Sequence, residues 1–167
     1  MKLDPISLIF NKDFQPNNNL YFIGGNEITL MEKMSLIIAE RYKAKDGISI
    51  TRIDSIESLN YSGGLFENKK IYLGKNCKGL NENNLNKIRN SEDIFIFIQE
   101  NSSKTKKIKS VFAKDKKCYL IDCYELDSDS KIKILNEFLK FSKMKIDEQL
   151  YWFLIEKLDN KYIFLEN

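Results

Sequence analysis

The sequence predicts an α/β fold in which a five-stranded, mostly parallel sheet carries flanking helices and is followed by a small helical domain. Short apolar runs rich in β-branched and aromatic residues recur over residues 20–123, and segments with helical spacing separate them. After residue 126 every periodic segment is helical. The length of 167 residues, 43% of them hydrophobic, suffices for one such core with a small appendage.

The predicted strands are apolar runs, continuous in residues 94–98, as expected where helices cover both faces of a sheet, and alternating in residues 48–53. They are residues 20–25, 48–53, 69–74, 94–98 and 118–123. The first run, Leu20-Tyr-Phe-Ile-Gly-Gly, follows a polar lead-in and is predicted to stop at a glycine turn.

The predicted helices of this domain have apolar side chains three or four positions apart. They are residues 27–42, 54–59, 81–90 and 104–114. The second of them begins with Asp54 or Ser55 as its cap, and Gly63 and Gly64 are expected to interrupt or end it.

A domain boundary is predicted near residue 126, which divides the chain into an α/β domain, residues 1–126, and the start of a helical domain, residues 127–167. Residues 131–142 form one amphipathic helix, and Asp147 caps a second. Two such helices cannot form a core alone. Since the sequence stops within an apolar helical start, we expect the chain to be part of a longer parent.

Composition excludes several classes of chemistry. The chain contains no histidine, which removes the commonest general base and metal ligand, so neither a catalytic triad nor a histidine zinc site is expected. Cys77, Cys118 and Cys123 form no CxxC pair and are predicted to be buried, structural thiols. We expect no catalytic residue, no metal and no cofactor.

The charge and hydropathy patterns are those of an ordinary soluble protein. The net charge is +3, and no single basic block dominates the chain. No apolar run approaches the length of a membrane helix, and the N-terminus lacks a signal-peptide pattern. A cytoplasmic protein is therefore predicted.

Gly24 and Gly25 stand where a phosphate loop would follow the first strand of a parallel α/β sheet. A working loop reads GxxxxGK[ST], and the residues after Gly24 lack the second glycine, the lysine and the hydroxyl. Two interpretations follow: a degenerate nucleotide loop kept as scaffold, or a plain turn with a helix cap.

Three further groups of residues each have two interpretations. Leu65 and Phe66 follow a glycine break and form either a core anchor or an exposed binding plug. Lys104, Lys106 and Lys107 form either the solvated face of a helix or a contact to DNA phosphates. The carboxylates near the domain boundary indicate linker charge or helix capping; they are Asp122, Glu125, Asp127 and Asp129.

Taken in order, these segments resemble the delta subunit family of the bacterial DNA polymerase III clamp loader. The resemblance covers almost the whole chain and depends on the order of the motifs. They are Tyr21-Phe-Ile-Gly-Gly-Asn-Glu, Gly64-Leu-Phe-Glu-Asn-Lys-Lys and Ile94-Phe-Ile-Phe-Ile with the basic helix after it. Gly64 departs from the serine usual in that family.

The resemblance implies an AAA+ (P-loop NTPase-like) first domain without nucleotide binding and a second, lid-type helical domain. It further implies a non-catalytic subunit of the replicative DNA polymerase holoenzyme that binds and opens the beta sliding clamp. The family's Leu-Phe pair, which inserts into the clamp, corresponds to Leu65 and Phe66. Other loader subunits would bind through a third domain absent here, and primer-template DNA would be contacted weakly. The alternative is a small P-loop-like nucleotide-binding enzyme with an atypical phosphate loop.

Overall fold

A computed structural model of the chain describes residues 1–59 and 69–166. The strands are β1 Lys2–Leu3, β2 Leu20–Gly25, β3 Ser49–Arg52, β4 Lys70–Lys75, β5 Ile94–Glu100 and β6 Cys118–Cys123. The helices are α1 Pro5–Phe10, α2 Ile28–Asp46, α3 Glu82–Ile88, α4 Ser103–Lys114, α5 Ser128–Ser142, α6 Glu148–Lys157 and α7 Ile163–Glu166, with a 3-10 turn at Ile56–Ser58.

The strands form one sheet in the order β1–β6–β2–β5–β4–β3, and every pairing is parallel. Because β2 lies between β5 and β6, the chain leaves β2 toward one side of the sheet and returns to its other side with β6. This is the strand arrangement at which parallel α/β proteins bind ligands. The predicted α/β class with flanking helices is confirmed.

The sheet has one strand more than the five that the sequence predicts. β1 pairs with β6, and the Leu120 amide donates to the Met1 carbonyl at 2.9 Å. α1 follows at once, with Asp4 as its N-cap and Pro5 in its first turn. No strand was predicted here because a strand of two residues shows no periodicity, and its pairing with β6 is a long-range contact.

Two hydrophobic cores cover the two faces of the sheet, and β5 shows how the sequence separates them. Ile94, Ile96 and Ile98 belong to the core beneath α1 and α2. Phe95 and Phe97 belong to the core beneath α3 and α4. Alternating residues of a strand point to opposite faces, so the alternation of isoleucine and phenylalanine gives each face one kind of side chain.

Burial decreases from the middle of the sheet toward β3. Every residue of β2 is buried, whereas all four residues of β3 are exposed. Ile50 of β3 keeps 43% of its surface exposed, although the alternating pattern predicts a half-buried strand. The reason is its edge position: β4 is its strand partner, and α2 packs on the central strands β2, β5 and β6.

The C-terminal segment is helical, as predicted, and Asp127 and Asp147 cap α5 and α6. The chain then returns to the sheet: the Leu126 amide donates to the Asn160 carbonyl at 2.7 Å, and Tyr162 is buried in the core beneath α1 and α2. The division at residue 126 stays a prediction. None of the helices within residues 1–59 and 69–166 has both the length and the apolar character required to cross a bilayer.

Candidate functional site

The turn after β2 is closed by the chain's own backbone. The amides of Asn26 and Glu27 both donate to the Cys123 carbonyl, at 3.1 and 3.2 Å. In a phosphate loop the backbone amides at this place point toward the ligand and surround its phosphate oxygens. Here β6 supplies the acceptor, so these two donors are already used within the protein.

The N-terminus of α2 is also capped from within. Glu27 is 5% exposed, and its Oε1 accepts a hydrogen bond from the Thr29 amide at 3.0 Å. A helix N-terminus stabilises negative charge, whether from a phosphate group or from a side chain. The Glu27 carboxylate therefore occupies the position where a nucleotide phosphate would gain most from this helix.

Gly24 and Gly25 are the last two residues of β2, so the strand ends where predicted, but the turn begins at Asn26 and does not include the glycines. Neither has the left-handed φ that favours glycine. A Cβ atom on Gly25 would stand 1.7 Å from the Cys123 carbonyl oxygen, closer than any side chain permits. Gly25 is therefore required for the close approach of β6. The sequence around Gly25 does not show this requirement, because it depends on a neighbouring strand.

Asp122 is not the solvated linker charge that the sequence predicts. Its side chain is 11% exposed and forms ion pairs with Lys109 at 2.5 Å and Lys2 at 3.0 Å. Burial lowers the pKa of Lys109, but the hydrogen bond and charge of Asp122 outweigh this and raise it. Asp122 thus links β1 and α4 to β6, whereas Asp127 caps α5, the second of the two interpretations.

The remaining predicted site residues lie in different places. Leu65 and Phe66 fall outside the described residues, as do Gly63 and Gly64. Lys104, Lys106 and Lys107 are all exposed on α4. The structure thus exposes all three lysines to solvent.

The structure contains a groove between α3 and α4 that the sequence analysis did not predict. It has a volume of about 700 Å³ and lies at the carboxyl ends of β4 and β5. Asn76, with φ of 50°, turns the chain there, and its amide donates to the Ile98 carbonyl at 2.8 Å. Asparagine is among the few residues that adopt this conformation, so Asn76 was the available signal, but the sequence alone does not show which elements the turn brings together.

The cysteines are buried and unsuited to thiol chemistry. Burial raises the pKa of Cys77 to about 11 and that of Cys118 to about 12, and it raises the pKa of Cys123 further. Cys118 is the first residue of β6 and Cys123 is the last, and the two belong to the cores on opposite faces of the sheet. Among the residues that the structure describes, no group of His, Cys, Asp or Glu side chains is placed to hold a metal ion.

Comparison with solved structures finds a protein with a similar fold. The delta protein of the Bacillus subtilis DNA clamp loader matches 95% of this chain with a TM-score of 0.56 and 13% identity. The replication initiator DnaA bound to AMPPCP and single-stranded DNA matches 97% of it at 14% identity, with a TM-score of 0.46. This chain spans 52% of the delta protein.

No protein-family model matches the sequence. One curated protein, the thiol:disulfide interchange protein DsbA of Buchnera aphidicola, is 27% identical over 133 residues. The alignment covers 77% of this chain and 61% of that protein. The positions of the three cysteines argue against a shared thiol chemistry, since Cys118 and Cys123 face opposite sides of the sheet.

We expect the native cysteines to be unreactive toward a thiol reagent at about pH 8. With a pKa of about 11, Cys77 is about one part in a thousand thiolate at that pH. The measurement is the rate of Ellman's reagent consumption by native protein, with denatured protein as the control that reacts fully. Rapid reaction of two thiols in the folded chain, or catalysis of disulfide exchange, would contradict this expectation.

Proposed function

We propose that this chain is the clamp-binding part of a clamp-loader delta subunit, and that it binds and opens the beta sliding clamp during DNA replication without hydrolysing ATP. The clamp contact would be the Leu65–Phe66 pair. The proposal is supported by the order of sequence motifs along the chain and by the likeness of its fold to the Bacillus subtilis delta protein. By this proposal the protein is a non-catalytic, cytoplasmic subunit of the polymerase holoenzyme.

The observation that carries the proposal is the closed turn after β2. An AAA+-type fold is kept, yet the Cys123 carbonyl and the Glu27 side chain use the donors that a phosphate would need. A scaffold subunit requires this fold and no nucleotide. The same feature argues against the alternative, a nucleotide-binding enzyme with an atypical phosphate loop at Gly24 and Gly25.

The free energy of such a contact is in the range of reversible binding to the clamp. Burying a leucine or phenylalanine side chain contributes about 1.5–3 kcal/mol, so the pair would contribute about 3–6 kcal/mol before the cost of association. Leu65 and Phe66 would then act as a hot spot. They would shift the clamp toward its open form by no more than their difference in affinity for the two forms.

Further parts of the proposal concern domains and partners. Residues 1–126 would form the clamp-binding domain with its degenerate nucleotide site, and residues 127–167 would begin the lid-type domain. Other loader subunits would bind through a third domain. Lys104, Lys106 and Lys107 would give weak, salt-sensitive contact to primer-template DNA.

Binding of purified beta clamp to this chain, with and without magnesium and ATP, tests the function. We expect clamp binding that ATP does not change, because the phosphate position is already filled, and no ATP binding by calorimetry. Clamp binding would be measured by surface plasmon resonance with the clamp immobilised. Absence of clamp binding would refute the proposal, whereas micromolar ATP affinity with magnesium-dependent turnover would establish the enzyme instead.

A further inference from the structure

The groove between α3 and α4 has an apolar floor that is open to solvent on one side. We call it the α3–α4 groove; its apolar lining consists of Cys77, Leu80, Leu85, Ile108 and Val111. The first three are nearly closed to solvent, whereas Ile108 and Val111 are only partly buried. The exposed apolar surface therefore lies along α4.

One polar side chain of this groove, Gln99, is largely buried and has an amide oxygen that accepts no hydrogen bond from the described residues. Gln99 is 8% exposed and lines the groove, and its Nε2 donates to the Cys77 carbonyl at 3.3 Å. Because a carbonyl only accepts, this bond fixes which way the amide points. In the described part of the chain the Oε1 of Gln99 has no hydrogen-bond partner. The groove thus offers an acceptor to a ligand with an N–H or O–H donor.

The rim of the groove carries an excess of positive charge. Lys78, Lys104 and Lys107 line it and are exposed. Within residues 1–59 and 69–166 none of these three has an ion-pair partner. Glu82 is the one carboxylate among the described residues of the lining. Charge complementarity therefore favours an acidic ligand.

The basic and apolar parts follow each other along α4. Lys104 and Lys107 are one turn apart near the start of the helix, and Ile108 and Val111 occupy the next turn on the same side. The positive end of the helix dipole lies at the same end as the lysines. A ligand that matches this helix has acidic groups toward one end and apolar groups toward the other.

We propose that the α3–α4 groove binds a short, acidic, amphipathic segment of a partner protein. Its carboxylates pair with Lys78, Lys104 and Lys107, its apolar side chains cover the exposed part of α4, and one of its N–H groups donates to Gln99. The proposed function assigns Lys104 and Lys107 a weak contact to DNA phosphates, so DNA and this segment would compete for these two lysines. Phosphate oxygens only accept, so they cannot donate to Gln99. The described lining also contains no aromatic side chain on which a base would stack.

The test uses the whole chain and a fluorescein-labelled peptide of about twelve residues, built from Leu, Phe, Asp and Glu with helical spacing of the apolar positions. Fluorescence anisotropy gives its affinity for the unaltered chain and for Lys104→Glu plus Lys107→Glu. The matched control is Lys106→Glu plus Lys114→Glu, which changes the net charge equally on exposed residues of the same helix that do not line the groove. Circular dichroism verifies that each variant is folded.

We expect the Lys104 and Lys107 change to weaken peptide binding at least tenfold and the control change to weaken it less than about threefold. Val111→Ser should also weaken binding, because it removes apolar contact. Amide chemical shifts of the unaltered chain should change around Cys77, Leu80 and Gln99, a readout that needs no variant.

Three outcomes would overturn this proposal. Equal weakening by the two lysine pairs would show attraction to overall charge alone. Competition by oligo-dT with equal affinity and the same lysine dependence would show a nucleic-acid surface. Chemical-shift changes that avoid the groove, or no binding at all, would show that the groove does not accept this class of peptide.

Discussion

Replacing both Leu65 and Phe66 with alanine is expected to weaken clamp binding by two orders of magnitude or more. The loss of two apolar side chains from a contact removes about 3–6 kcal/mol of burial, and each 1.4 kcal/mol is a factor of ten in affinity. If the pair is exposed, the melting temperature should stay within about 2 °C of the unaltered value. Surface plasmon resonance and thermal unfolding would be measured on one preparation.

The alternative, in which Leu65 and Phe66 anchor the core, gives the opposite pair of results. The double variant would then lose several kcal/mol of stability, and its clamp affinity would change only through unfolding. A suitable control is Phe138→Ala plus Phe141→Ala, because these side chains are 56% and 84% exposed on α5. The control should keep both stability and clamp affinity. A folded Leu65 and Phe66 double variant with unchanged clamp binding would refute the assignment.

Gly25→Ala is expected to destabilise the fold by about 3 kcal/mol or more, which lowers the melting temperature by about 6 °C or more. The added Cβ would collide with the backbone of Cys123, 1.7 Å from its carbonyl oxygen. Relief requires β6 to move away from β2, and the same movement would strain the bonds from Asn26 and Glu27 to that carbonyl. Urea unfolding followed by circular dichroism measures the change.

Gly47→Ala is the matched control for this substitution. Gly47 ends α2 with a φ of 64°, and a Cβ there would meet no atom within 4 Å. Alanine at this position should cost only about 1–2 kcal/mol, the strain of a left-handed backbone. If Gly25→Ala proved no more harmful than Gly47→Ala, close packing of β6 would not be the reason for glycine at this position.

Much of the fold was predictable because it depends on local patterns. The continuous run Ile94–Ile98 and the caps Asp127 and Asp147 each carry their signal within a few residues, and each is found as expected. β1 was missed because Lys2 and Leu3 become a strand only by pairing with β6, more than a hundred residues away. Local pattern therefore predicts elements better than it predicts their partners.

The candidate site was less predictable for the same reason. The sequence after Gly24 correctly indicated that the lysine and hydroxyl of a phosphate loop are absent. Only the structure shows that the Cys123 carbonyl accepts hydrogen bonds from the amides of Asn26 and Glu27. Asp122 was interpreted as linker charge, since its partners Lys2 and Lys109 are distant in sequence. Gln99 gave no signal, because only the assembled groove shows that its amide oxygen accepts no hydrogen bond from the described residues.

The decrease in burial toward β3 has a mechanical consequence. Local opening of a sheet costs least where side chains bury least surface, so β3 should separate from β4 more readily than β2 separates from its neighbours. From β3 the chain continues through the turn at Ile56–Ser58 to Leu65 and Phe66. The same segment joins β4 at Lys70, so tension applied at those two residues acts on both strands of the β3–β4 pair. It should separate β3, the less buried strand, and leave the register of the central strands unchanged.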